Sequence, residues 1–536
     1  MAREGGALMN IDTAHSDQRD DNAVVRCVVA DSDRRQRVRL VETKQEPCTI
    51  VIFGASGDLT RRKLVPALYR LYAEGGLSDS FLIIGTSRTE MTHNDFRNIM
   101  KKAVPLYCNV DRKLWEFFAT RLFYTTVEYN NPATFIDLGT FLSSLERDHN
   151  LPGNRIYNLA IPPSLYKVTI RMLGESGLSD ERRHEQGWPR VVIEKPFGRD
   201  LATAIDLNET LREYFHERQI FRIDHYLAKE TVQSILMFRF ANSIFEPIWN
   251  RNYIHDVSII AAESLGVEHR AGYYEEAGVL RDMFQNHMMQ LLSTTAMEPP
   301  SLFEAERVRD ERVKLFRSLR PFSHDLDSDN VILGQYGGGV IDGTEVPAYR
   351  DEHGISASSL TPTFAMLIVL IDNWRWQGVP FYLTSGKRMA RKLTEIVVNF
   401  KEVPHSLFRA VLGEHISANR LIMGIQPDER ITLTFQTKSP GSNIALRSVT
   451  MDFNYLQNYE GPILDAYEKV LLDVIGGDHM LFWRQDGLEL TWSYLTPVLD
   501  FCETCAERSS RLQIYESGSW GPETARDKIS IHSRRI

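Results

Sequence analysis

"TIVIFGASGDLTRRKL" runs from Thr49 to Leu64 and joins an unbroken apolar run to a glycine-containing turn and then to a cationic helical pattern. Such a run suits a strand buried on both faces of a parallel sheet. The turn after it lets backbone N–H groups approach a pyrophosphate at the N-terminus of the next helix. It is not a clean G-x-G-x-x-G. Gly54 fits the first position, but Ser56 and Leu59 stand at the second and third, with Gly57 between them. Its position between a buried first strand and a helix makes it a candidate dinucleotide turn, with Gly54, Ala55, Ser56, Gly57, Asp58 and Leu59 as the contacts.

Working outward, "FLIIG" (81–85), "LFYTT" (122–126), "IYNLAI" (156–161), "RVVIEK" (190–195) and "QIFRI" (219–223) repeat the apolar strand pattern. Helical segments such as "NPATFIDLGTFLSSLERD" separate them. This alternation predicts an α/β Rossmann-type, doubly wound domain over residues 47–223. Beyond Phe221 a long helical stretch is expected, and from about Thr363 the strands change character. "RITLTFQTK" puts Ile431, Leu433 and Phe435 on one face and Thr432, Thr434 and Gln436 on the other. "AMLIVLI", "TEIVVNF" and "RSVTMDFNY" follow without long crossover helices. A larger α+β domain with a mostly antiparallel sheet is predicted over 224–517, followed by a tail, 518–536. The charge-dense "EAERVRDERVKLFRSLR" (304–320) reads as a solvated amphipathic helix.

A chain of 536 residues exceeds one compact core, in keeping with two domains. Residues 1–46 are polar, mixed in sign and lack an apolar h-region, so they read as a disordered extension. Asp12, Asp17, Asp20 and Asp21 argue against a transit peptide. The net charge of −9 argues against nucleic acid or anionic membrane as partner and leaves room for an anionic small molecule where cations gather. Five scattered cysteines suggest a reducing, cytoplasmic setting. Cys502 and Cys505 form a C-x-x-C without a second ligand pair, so no metal is expected.

The second strand ends "IIGTSRTE", with Arg88 where NAD enzymes usually carry an acid for the ribose 2′-OH. A guanidinium pairs with a 2′-phosphate, so NADP is favoured, with NAD as a weaker second coenzyme. "VVIEKPFGRD" (191–200) places Lys195 at a strand C-terminus, where ligands of open sheets gather, and Pro196 admits a cis bond. "FRIDHYLAKE" (221–230) crowds Asp224, His225, Tyr226 and Lys229 together, and "GVLRDMFQNHMMQLL" (278–292) is an amphipathic helix bearing His287.

The ordered series "GASGDL", "IEKPFG", "RIDHYLAKE", "RDMFQNH" and "SGKRMARK" resembles the glucose-6-phosphate dehydrogenase family over about residues 47–520. Ala228 replaces the signature's usual glycine, a change a helix accepts. The resemblance implies oxidation of glucose 6-phosphate at C1 by NADP, the first step of the oxidative pentose phosphate pathway, in a homodimer or homotetramer. It implies His287 as general base with Asp224 as its carboxylate partner, and a phosphate pocket of His225, Tyr226 and Lys229. Lys195 would hold substrate and touch the coenzyme site; Glu263 and Asp282 would bind sugar hydroxyls; Lys387, Lys392 and Gln426 would complete the contacts. Asp282 and His287, five residues apart, fall roughly 140° apart on an ideal α-helix. Both would then line one pocket only if Asp282 lay at the helix start or the pair straddled the ligand. Asn158 replaces a family tyrosine near the coenzyme. Thr384, Leu393 and Val397 stand where animal members carry cations for a second, structural NADP, so none is expected here. The competing readings are a glucose–fructose-type oxidoreductase, which needs no phosphate cluster, and a non-catalytic NADP-binding sensor, which needs no base.

Overall fold

The computed structural model of the chain describes residues 23–26, 45–181, 187–224, 230–322, 330–405, 407, 416–441, 445–454, 464–504 and 507–533. β1 is Ala23–Arg26, and six parallel strands then form the first sheet: β2 (Cys48–Phe53), β3 (Phe81–Ser87), β4 (Leu122–Thr126), β5 (Arg155–Leu159), β6 (Pro189–Ile193) and β7 (Ile220–Arg222). They are the six expected strands, within a residue or two at each end. β2 and β3 are buried along their whole length, which is why their sequences carry no alternation. The order β4-β3-β2-β5-β6-β7 reverses direction between β2 and β5, and ligands of doubly wound sheets bind at that switch point.

The chain leaves β2 through Gly54, whose φ is +86°. A Cβ there would lie 2.1 Å from the Ala160 carbonyl oxygen beyond β5, so only glycine fits. A π-helical turn (Thr60–Leu64) then opens the helix Val65–Ala73.

The second sheet has eleven strands: β1 with β8 (Ile254–Ala262), β9 (Val331–Ile341), β10 (Thr344–Val346), β11 (Phe364–Val369), β12 (Phe381–Gly386), β13 (Leu393–Phe400), β14 (Arg420–Gln426), β15 (Arg430–Lys438), β16 (Leu446–Asn454) and β17 (Leu512–Ser517). Their order is β1-β16-β15-β14-β13-β8-β12-β11-β9-β10, with β17 also on β9. The pairs β1·β16, β8·β12 and β9·β17 are parallel and the rest antiparallel.

Four readings need correction. β8 lies at the centre of this sheet, within the stretch expected to be helical. "IHDVSIIAA" is almost wholly buried, so it shows no period that separates a strand from a buried helix. β15 is half-buried on both faces rather than split into a core face and a solvent face. Ala23–Arg26, inside the span read as disordered, forms an edge strand; "AVVR" is a short β-branched run in a polar segment. The helix Ala305–Arg317 is half inside, burying Val308, Val313 and Phe316 and also Arg309 and Arg312. Arg309 pairs with Glu306 at 2.6 Å and Glu217 at 3.2 Å, and Arg312 donates to the Met480 carbonyl at 2.8 Å.

The two domains are packed together by the long helix Gln485–Thr504. Its Trp492 indole N–H donates to the Phe197 carbonyl just past β6 (3.0 Å), and Asn208 donates to its Glu489 (2.9 Å). That contact holds the C-terminal end of β6, and with it Lys195, against the second domain. No helix among the described residues is long and apolar enough to cross a membrane.

Candidate active site

Three carriers converge beyond the C-terminal edge of the first sheet. β6 delivers Lys195, preceding a cis peptide bond to Pro196. β7 delivers Asp224, two residues past its end. The π-helix Leu280–Met288 delivers Asp282 and His287.

The π-helix answers the spacing question. Its hydrogen bonds run i→i+5, so residues five apart lie nearly one above the other instead of far around an α-helix. One ammonium therefore reaches both: Lys195 Nζ lies 3.2 Å from Asp282 Oδ1, 2.5 Å from the Asp282 carbonyl oxygen and 3.2 Å from His287 Nε2. On its other side His287 Nδ1 is 2.7 Å from Asp224 Oδ1, with both side chains at most 2% exposed.

The tautomer follows from these partners. An ammonium has no lone pair, so beside Lys195 the Nε2 atom is an acceptor and Nδ1 carries the proton that it donates to Asp224. Burial pulls the imidazole below its usual 6.5; Asp224 raises it and Lys195 lowers it again, with a net fall. Burial would raise the Asp282 carboxyl, but Lys195, Lys387 and Arg270 together hold it well below the usual carboxylate range. At neutral pH the site thus holds a neutral imidazole beside an ionised Asp282.

A second pair lies alongside. Glu263, one residue past β8, meets Lys387, one residue past β12, at 2.5 Å, and Lys387 Nζ lies 5.0 Å from the Tyr274 ring centroid. β8 and β12 are parallel neighbours with Ala262 opposite Gly386, which puts both residues at one sheet edge. Tyr273, which belongs to no sequence motif, joins the site. Its hydroxyl donates to Asp282 Oδ1 at 3.1 Å, and its ring lies 4.6 Å from the Arg270 guanidinium carbon. Burial and Asp282 both push its phenol upward, so it stays a donor. The doublet Tyr273–Tyr274 just before "RDMFQNH" was its only sequence signal, and a core tyrosine would look the same.

Lys195, Asp224, Asp282 and His287 are thus joined directly, with Glu263 and Lys387 alongside. Lys392 is exposed and makes no hydrogen bond or ion pair among the described residues, and the Gln426 side chain, at the end of β14, makes no hydrogen bond among them. His225, Tyr226 and Lys229 lie outside the described residues.

The dinucleotide end fits the group expected there. Gly54 N–H and Ala55 N–H both donate to the Thr86 carbonyl, and Gly57 N–H donates to the Gly54 carbonyl, which folds the turn tightly over the sheet end. Glycine at position 54 lets the turn pack directly on the Ala160 carbonyl, which keeps it at the C-terminal end of the sheet. Arg88, one residue past β3, is exposed and makes no hydrogen bond or ion pair among the described residues, so its guanidinium is available for a phosphate. Asn158 is buried in β5, while Thr384, Leu393 and Val397 are buried within β12 and β13.

Comparisons with known proteins agree with this geometry. A family model described as "Glucose-6-phosphate dehydrogenase, NAD binding domain" matches residues 51–234, and one described as "Glucose-6-phosphate dehydrogenase, C-terminal domain" matches residues 236–535. The glucose-6-phosphate 1-dehydrogenase of Aggregatibacter actinomycetemcomitans is 44% identical over 493 residues, covering 92% of this chain and 97% of its own. That of Bacillus subtilis is 41% identical over 490 residues, covering 91% and 98%. A solved glucose-6-phosphate dehydrogenase in complex with its substrate glucose 6-phosphate superimposes with a TM-score of 0.83 at 34% identity, covering 92% of this chain and 99% of its own.

Proposed function

The chain belongs to the glucose-6-phosphate dehydrogenase family, and from that premise we propose that it oxidises glucose 6-phosphate at C1 to 6-phosphoglucono-1,5-lactone, with His287 as general base. The observation that carries the reading is the line Asp224–His287–Lys195, with its 2.7 Å and 3.2 Å contacts. It leaves His287 Nε2 unprotonated, its lone pair accepting from Lys195 until the substrate hydroxyl takes that place. That atom takes the C1 hydroxyl proton, and Asp224 holds the ring in this tautomer and stabilises the imidazolium that forms, as the carboxylate of a Ser-His-Asp triad does. NADP, when bound, accepts the hydride that leaves C1.

Lys195, already chelating Asp282, is proposed to hold substrate and to mark the border with the coenzyme. Asp282 and Glu263 accept hydrogen bonds from sugar hydroxyls, and Lys387, Lys392 and Gln426 complete the sugar and phosphate contacts. Gly54, Ala55, Ser56, Gly57, Asp58 and Leu59 cradle the pyrophosphate, and Arg88 takes the 2′-phosphate, which favours NADP over NAD. His225, Tyr226 and Lys229 form the 6-phosphate pocket. One coenzyme per chain, a cytoplasmic setting, a homo-oligomer and the domain limits 47–223 and 224–517 belong to the same proposal.

The test is an absorbance assay for NADPH with glucose 6-phosphate, repeated with free glucose and with NAD. Turnover of free glucose as efficient as that of the phosphate ester would overturn the substrate assignment. Lys229→Ala should lower the ratio of kcat/KM for glucose 6-phosphate to that for glucose by about 10–150-fold, the weight of a charge-assisted hydrogen bond. An unchanged ratio would remove the phosphate pocket from this segment.

A further inference from the structure

Asp224 and His287 come from separate carriers 63 residues apart, and their 2.7 Å contact depends on how the end of β7 is held against the π-helix. One buried side chain spans that gap. Trp483, 2% exposed, forms an antiparallel bridge with Arg222, the last residue of β7 and two before Asp224. Its backbone N–H donates to the Arg222 carbonyl at 3.3 Å, and Arg222 Nη1 returns a hydrogen bond to the Trp483 carbonyl at 3.4 Å. On the other side the indole N–H donates to Asn286 Oδ1 on the π-helix, in the residue immediately before His287.

We infer that Trp483 is a positioning residue for the Asp224–His287 pair, clamping the strand end and the π-helix that carry them; the inference rests on the base assignment proposed above. The clamp is well seated. The Trp483 ring stacks on Phe316 with centroids 5.8 Å apart and planes at 23°. His479 and Phe482, in the same turn, pack on Phe221 of β7 at 3.9 and 4.9 Å. Asn286 is fully buried, so its carbonyl oxygen depends on the indole for satisfaction, and that bond also sets which way the amide is turned. Packing alone needs no N–H at this position, whereas the clamp does.

The experiment uses the full chain with glucose 6-phosphate and NADP. Trp483→Phe keeps an aromatic ring and removes the donor. It is expected to lower kcat by about 10-fold or more, since small misplacements of reacting groups have effects of that size. KM for both ligands should stay within about twofold, the pattern of an interaction that matters only in the transition state. The isotope effect on kcat with C1-deuterated glucose 6-phosphate should rise, because the chemical step becomes more limiting; a smaller folded fraction would lower the apparent kcat without moving it. Asn286→Ala removes the same hydrogen bond with the indole left in place, so it carries the test if the first variant does not fold. The double variant should lose no more than the larger single loss, as expected for two partners of one bond. Unchanged kcat and isotope effect in a folded variant, or additive losses, would overturn the inference. His287→Asn run in parallel separates the two claims: turnover there removes the base itself, whereas its inactivity beside a normal Trp483→Phe removes only the clamp.

Discussion

Apart from Lys195, which the two ends share, every coenzyme contact proposed above lies between Gly54 and Arg88, and the turn there is shaped by backbone: the φ of Gly54 and three N–H groups bonded within the chain at the sheet end. At the chemical end the contacts are side chains from Lys195, Asp224, Glu263, Tyr273, Asp282, His287 and Lys387, delivered by two sheets and a π-helix. A local backbone site is specified by one short segment and tolerates changes elsewhere. A site assembled from distant side chains depends on packing far from any ligand, so a remote substitution can disturb the chemistry while coenzyme binding survives.

The largest expected effect tests the chemical end by itself. His287→Asn removes the proton acceptor and should cut kcat by about 10²–10⁴-fold, while calorimetry still finds both ligands bound. Near-normal turnover would move the base elsewhere and dissolve the contrast between the two ends. The pH profile sharpens the same point. Only the neutral imidazole accepts a proton, and burial with Lys195 lowers its pKa despite Asp224, so the acidic limb of kcat/KM should lie below 6.5. A limb above 6.5 would mean that Asp224 dominates.

Arg88→Ala probes the other end. The side chain is exposed just past β3 and makes no hydrogen bond or ion pair among the described residues, so its loss should be felt mainly through the coenzyme. NADP should weaken by about 10–150-fold, with NAD nearly unaffected. Equal losses for both coenzymes would deny the 2′-phosphate contact.

The same contrast explains what was legible in the sequence. The first sheet was readable strand by strand because parallel strands buried on both faces write themselves as apolar runs, and the Gly54 turn is local. At the chemical end Lys195 stood out by its place at a strand end, but the joint roles were reached only through resemblance, since no spacing rule links Lys195, Asp224 and His287. Asp282 looked misplaced because an α-helical period was assumed, and nothing in "LRDMFQNHM" marks it as π-helical. β8 was hidden because a fully buried strand and a buried helix share one composition. Arg309 and Arg312 looked solvated because Glu306, the near partner of Arg309, suits a surface pair, while Glu217 and the Met480 carbonyl lie far away in the chain.

A smaller effect is expected from Tyr273→Phe. It removes one of the donors to Asp282 Oδ1 and leaves Lys195 in place. KM for glucose 6-phosphate should rise by about 2–10-fold, the range of a single net hydrogen bond, with KM for NADP steady. A matching change in both would place Tyr273 in the fold rather than in the sugar pocket.

The mildest prediction lies where the two ends meet, at Glu194 beside Lys195. Its Oε2 accepts a long hydrogen bond of 3.5 Å from the Tyr467 hydroxyl, and its Oε1 is buried with no partner among the described residues. Burial pushes this carboxyl up to about 7 from 4.5, with Tyr467 acting weakly the other way. Between 4.5 and about 7 the folded chain therefore binds more protons at this site than the unfolded chain, and linkage makes stability fall as pH rises through that window. Below 4.5 the carboxyl is protonated in both states and contributes no difference. Glu194→Gln keeps the shape and removes the titration. Relative to the parent its Tm should be unchanged near pH 4 and rise through the window, then level off above it, gaining about 2–4 °C for each kcal/mol recovered in a domain of this size. Glu468, also pushed up to about 7 by burial, is present in both proteins and cancels in the difference. A Tm difference that stays flat with pH would show that Glu194 ionises normally, and that the join between the coenzyme and substrate ends is wetter than its burial implies.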